Sequence, residues 1–177
     1  MEDLKNRHLA DWYLSSRDKH PRQCGVYYSS FIECDVTRYL LWDQHCVSRE
    51  EIDQAIDQIG KRLDHSIEFR LYKYADIEAM RIFRMNNDTP QAFVAISYMM
   101  ARGDVRKNGV YFASCIEDDI ARDYALDSCR VTADEVDDCI DKLNDRLDYA
   151  LHQKQWWYAD VAAKRIFNMT KYKELRF

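Results

Sequence analysis

Glycine and proline are scarce in this chain, at four and two of 177 residues. Tight turns draw on both, so the shortage argues against a strand-rich sandwich or barrel. No apolar run approaches the ~20 residues of a membrane span. The opening Met1-Glu2-Asp3-Leu4-Lys5 lacks the apolar stretch of a secretory signal. A cytoplasmic protein with no membrane partner is therefore expected. The six cysteines, Cys24, Cys34, Cys46, Cys115, Cys129 and Cys139, contain no C-x-x-C pair. In a reducing compartment they read as small apolar fillers or surface thiols.

Catalytic and metal signatures are also missing. Of His8, His20, His45, His65 and His152, none stands four residues from another, and no H-E-x-x-H is written. His45-Cys46 is the one local His/Cys pair; 84 residues on stands Cys129-Arg130, so a zinc site built on it would exist only once. The glycines are too scattered for a phosphate-cradling loop, and no G-x-S-x-G elbow occurs. No catalytic residue, metal or cofactor is expected.

What the chain does contain is itself, twice. Gly25-Val26-Tyr27-Tyr28-Ser29-Ser30 recurs as Gly109-Val110-Tyr111-Phe112-Ala113-Ser114, an offset of 84. Residues 25–85 against 109–169 give 25 identities in 61 positions without a gap, about 41%. Upstream, 4–24 against 88–108, identities almost vanish, although both stretches read as an apolar helix followed by a polar loop. The expected organisation is two helical units, 1–87 and 88–177, forming a pseudo-twofold pair in which one surface patch occurs twice.

Each unit reads as about four helices. Ser48-Arg49-Glu50-Glu51 and Thr132-Ala133-Asp134-Glu135 are capping boxes. Behind the first, Ile52, Ile56, Ile59, Leu63 and Ile67 form one apolar stripe; behind the second, Val136, Ile140, Leu143, Leu147 and Leu151 repeat it. A helix over 26–45, copied at 110–129, is expected to open at Gly25 and Gly109. Another follows from Tyr74 to Phe83, copied from Tyr158 to Phe167. Residues 4–16 and 90–101 supply the last pair, with Pro90 suited to a first turn. The expected total is eight helices, no strand, and packing through the third helix of each unit.

Charge is uneven. The net is −5, yet residues 117–148 hold twelve carboxylates against four cations, and the matching 33–64 hold eight against four. The tail 149–177 swings to six bases against two acids. On the capped helices Asp53, Asp57 and Asp64 form one ridge beside the apolar stripe, repeated by Asp137, Asp141 and Asp148. With Asp118, Asp119, Asp134 and Asp138 they are the candidate partner-binding acids. Such a flank repels nucleic acid and attracts a cationic protein surface. In the sharper form of this reading the ridge stands in for a phosphate backbone, as in DNA-mimic inhibitors of restriction or CRISPR complexes. The plain alternative is a solvated helix flank.

Ionic residues kept in both copies, among them Asp35, Arg38, Asp76 and Arg81 with Asp119, Arg122, Asp160 and Arg165, are expected to pair across helix interfaces, since a semi-buried charge is tolerable only when paired. Aromatic residues make up 13% of the chain. Trp156 and Trp157 are adjacent and cannot both face one core, so one is expected to be partly exposed, as anchors of binding surfaces are. The functional expectation is a non-catalytic, all-α binding protein whose partner is another protein, through acidic and aromatic helix surfaces. An oligomeric structural or adaptor protein is the alternative.

Overall fold

Both capping boxes form. The Ser48 N–H donates to Glu51 Oε2 at 2.9 Å and the Glu51 N–H returns to Ser48 Oγ at 3.2 Å. Thr132 and Glu135 repeat the exchange at 2.9 and 3.3 Å. Each box satisfies donors that a helix start leaves orphaned. In the computed structural model, which describes residues 1–16 and 19–177 (Lys19 and His20 by backbone alone), these boxes start the two 20-residue helices α4 (Arg49–Glu68) and α9 (Ala133–His152).

The remaining elements are α1 (Glu2–Ser15), α2 (Lys19–Ser29), α3 (Asp35–Gln44), α5 (Tyr72–Met85), α6 (Gln91–Ala101), α7 (Arg106–Ala113), α8 (Asp119–Ser128) and α10 (Trp156–Arg176). A 3-10 turn, Gly103–Val105, leads into α7. Among the described residues there are thus ten α-helices and no strand. Bounds recur at the offset of 84: α3 with α8, α4 with α9, and the starts of α5 and α10.

Ten helices replace the expected eight because 26–45 and 110–129 each break. Arg38, fully buried in α3, donates Nη1 to Ile32 O at 2.6 Å; Arg122 does the same to Ile116 O at 3.4 Å. Each arginine thus donates to a carbonyl of the corner that follows the preceding helix. Its Nη2 pairs with Asp35 in one copy and Asp119 in the other. Gly25 and Gly109 do not open helices either. They lie within α2 and α7, where a Cβ would come 2.6 Å from Leu14 Cγ and 2.3 Å from Met99 Cγ. Their role is close helix approach, α2 on α1 and α7 on α6.

With so little glycine, helix ends are closed by other residues. Cys46, Arg70, Arg130 and Lys154 adopt φ of 49 to 55°, again in pairs 84 apart. Behind each, an N–H reaches the carbonyl five residues back: Val47 to Trp42, Leu71 to Ser66, Val131 to Leu126 and Gln155 to Ala150, at 2.7–3.1 Å. These are Schellman closures with an L-residue in the position glycine normally fills.

The chain forms two compact units, Met1–Arg62 with Met80–Asn87, and Leu63–Ala79 with Asp88–Phe177. In the first, α1 packs along α2 and touches α3. In the second, α9 and α10 pair, α6 lies on α7 and α8, and α7 packs on α9. The apolar stripe of α4 is buried except at Ile56, which is half-buried. On α9 the seam turns: Val136, Cys139, Leu143, Arg146 and Ala150 are inside, whereas Leu151 is exposed and Ile140 and Leu147 are half-buried. The turn follows the buried guanidinium of Arg146, whose counterpart Arg62 is exposed.

Candidate interaction surface

Inside each unit an arginine from the last long helix clamps the corner serine of an earlier one. Arg81 donates Nε and Nη2 to Ser30 Oγ at 2.8 and 2.7 Å, and its guanidinium lies 4.4 Å from the Tyr27 ring. Arg165 does so with Ser114 at 3.2 and 2.7 Å and with Tyr111 at 4.6 Å. In the second unit Asp76 joins, 2.7 Å from Arg165 Nη1, 3.3 Å from Arg146 Nε and 2.8 Å from the Tyr111 hydroxyl. The expected pairing of Asp76 is therefore made with Arg165, the residue 84 beyond Arg81. Burial pushes the neighbouring thiols up, Cys115 to about 12 and Cys139 to about 11, which keeps them protonated and inert. In this cluster two buried arginines share the one carboxylate of Asp76.

A second clamp lies outside the gapless stretch. Arg22 meets Glu51 at 2.5 Å and donates to His45 O; Arg106 meets Glu135 at 2.8 Å and donates to Cys129 O. One side chain thereby ties a helix start, a capping box and the end of the helix before it. The hydrogen bond from Arg22 holds the Glu51 carboxyl below its ordinary range. The signal was available: Arg22 and Arg106 are the single identity between 4–24 and 88–108.

The candidate acids divide. Asp53 and Asp57 stand on the exposed flank of α4, paired with Arg49 at 2.9 Å and Lys61 at 2.8 Å. With Gln23, Glu50, Gln54 and Gln58 they line an open polar depression. Asp64 leaves this ridge: it accepts from the Tyr98 hydroxyl, lies 3.5 Å from Arg102, and burial raises its carboxyl. Asp118 caps α8 through the Ala121 N–H at 2.7 Å, and Asp119 pairs with Arg122. Asp137 pairs with Lys173 at 2.7 Å and Asp138 with Lys142. Asp134, Asp141 and Asp148 are exposed. Among the described residues seven of the twelve carboxylates in 117–148 are in ion pairs of this chain. Trp156 and Trp157 are both exposed, more than expected for Trp156-Trp157; Ala159 and Ala162 take the buried positions of α10.

Among the described residues no group of three His, Cys, Asp or Glu side chains is placed to hold a metal ion, and no helix is long and apolar enough to cross a membrane. The exposed apolar side chains are more informative. Leu9, Val36 and Leu40 are exposed on α1 and α3; Phe93, Ile120 and Tyr124, each 84 residues later, are exposed on α6 and α8. The Phe93 and Tyr124 rings meet edge to face at 6.1 Å. Sequence reasoning passed over this triad, although Val36/Leu40 and Ile120/Tyr124 are i, i+4 pairs beside the buried arginines. Large apolar side chains grouped in water mark interaction sites more often than chance exposure does. No known family model, no curated protein and no solved structure matches this chain.

Proposed function

We propose that this is a tandem-duplicated, non-catalytic binding protein that engages another protein through the apolar helix faces, with the acidic flanks as their rim. The observation that carries this reading is the exposed triad at the same three positions of both copies. Residues whose only role was folding would have no reason to leave Val36, Leu40, Ile120 and Tyr124 in water twice. The duplication itself is supported by the recurrence at 84 of helix bounds, left-handed helix ends, corner arginines and the Arg22/Arg106 clamps. Non-catalytic action is in keeping with the interior contacts of Asp76, which binds Arg165 and the Tyr111 hydroxyl.

A photocrosslinking side chain at Val36 or Leu40, introduced into the full chain in its native cells, tests the proposal. A discrete protein adduct that vanishes when the neighbouring apolar residue becomes lysine is expected. Labelling no different from that at a solvated position such as Glu174 would overturn it.

The ridge on α9 supports a second reading, in which Asp134, Asp141 and Asp148 engage a cationic, nucleic-acid-binding partner. Reversing Asp137, Asp141 and Asp148 to lysine then abolishes capture of that partner with helicity unchanged. Because surface charge is screened by salt, such capture also falls off in high salt, whereas capture by the apolar faces survives it.

A further inference from the structure

We propose that the α6/α8 face of the second unit is covered by a second copy of this chain, in an isologous dimer. The inference rests on the apolar faces being interaction surfaces and assigns one of the two to self-association.

Helix α6, QAFVAISYMMA, carries no charged residue. A helix without charge on any side is ordinarily buried all round. Here Ala92, Val94, Ala95, Tyr98 and Met99 are inside, and the opposite stripe of Phe93, Ser97 and Met100 faces solvent. Met100 is 71% exposed and, beside the stripe on α8, Ile120 is 82% exposed. The corresponding helix of the first unit, α1, carries Glu2, Asp3, Lys5, Arg7 and Asp11. The two copies thus differ most where one has lost its charge.

Charge selects the occupant. The chain is acidic, so two copies repel one another over most of their surfaces. An isologous contact sets one patch against itself, residue i against j and j against i, so a patch without charge meets its copy with no like-charge repulsion. The α6 stripe has none, and along α8 next to it three acids share two cations: Asp119 and Asp123 pair with Arg122, and Asp127 with Arg176 at 3.1 Å. A foreign basic helix would find no uncompensated anion in this stripe to recognise. Size agrees as well. Phe93, Met100, Ile120 and Tyr124 present on the order of 500 Å² of side chain, taking about 200 Å² for each when fully exposed. That is most of the apolar part of the ~800 Å² per partner in a standard interface.

Light scattering coupled to gel filtration, run on the full chain from micromolar to tens of micromolar, tests the proposal. The wild type is expected to run as a dimer, and Met100→Lys with Ile120→Lys as a monomer of unchanged helicity and melting temperature. A milder pair, Met100→Ser with Ile120→Ser, is expected to weaken dimerisation at least tenfold. Val36→Lys with Leu40→Lys, on the other face, leaves the dimer intact. A wild type that is monomeric throughout, or a Met100→Lys, Ile120→Lys chain that still dimerises, overturns the assignment. Foreign-protein capture through Val36 in that monomeric variant is read separately: its persistence leaves the binding function standing whatever the oligomer, and its absence in a dimer-forming wild type counts against the function alone.

Discussion

The carboxylate of Asp76 lies 2.7 Å from the guanidinium of Arg165, 89 residues further along the chain. Asp76 lies in the first of the two similar stretches, 25–85, and Arg165 in the second, 109–169. Their contact lies within a single compact unit, to which Leu63–Ala79 contributes. A residue of the first stretch thus partly offsets two buried arginines of the second, and the similar stretches and the units in space have different borders.

Two arginines share that carboxylate unequally. Arg165 is bonded through all three nitrogens, whereas Arg146, 1% exposed, leaves Nη1 and Nη2 without a partner. Removing one member of a satisfied buried pair strands the other, at about 3–5 kcal/mol. Asp76→Asn and Arg165→Met are accordingly expected to destabilise by about 3 kcal/mol each, and by much less than twice that together. Arg146→Met is expected to be neutral or stabilising, because its desolvated nitrogens gain little where they are. Urea melts of the four variants check this; an Arg146→Met loss as large as that of Arg165→Met would refute the asymmetry.

The left-handed helix ends offer a test of opposite sign. A non-glycine residue in this region carries a steric cost of roughly 1–2 kcal/mol, partly offset by the greater chain entropy glycine would lose. Arg130 and Lys154 are exposed. Arg130→Gly and Lys154→Gly are each expected to stabilise by about 0.5–1 kcal/mol. Thermal melts that fall rather than rise would show that the closures are held by something other than backbone shape.

Asp127 sets an expectation for pH. Its carboxyl is lowered by hydrogen bonds from Arg176, and Tyr172 adds another at 2.8 Å. A carboxyl lower in the folded chain than its ordinary 3.8 stabilises above 3.8, and the contribution is lost as pH falls through the folded value. Asp127→Asn is thus expected to be less stable than wild type at neutral pH and equal to it in strong acid. A difference that persists undiminished at low pH would mean the amide disturbs packing instead.

Much of the helical framework was legible because local signals agreed. Ser48 and Thr132 begin the long helices where the boxes place them, since capping and the 3.6 period act over a few residues. The corners at 30–34 and 114–118 were not legible. They depend on Arg38 and Arg122 folding back into a core, and an arginine reads as surface in any hydrophobicity pattern. The same blindness misplaced the α9 seam: Leu147 and Leu151 looked inward, but Arg146 takes the interior once Asp76 arrives from a distant segment. Of the candidate site residues, both tryptophans are exposed where one was expected, and most ridge acids lie on the surface. Asp64 turns inward because its neighbour Tyr98 comes from α6, whose sequence does not match the stretch 84 residues before it.

The buried arginines also change what the chain shows to others. Among the described residues Arg38, Arg81, Arg122, Arg146 and Arg165 are inside, against one buried acid, Glu78. Seen from many ångströms away the molecule is a body of charge −5. At touching distance those five cations lie beneath the skin while most carboxylates remain on it. A visitor meets a coat more acidic than the tally of residues implies, interrupted where α6 surfaces bare.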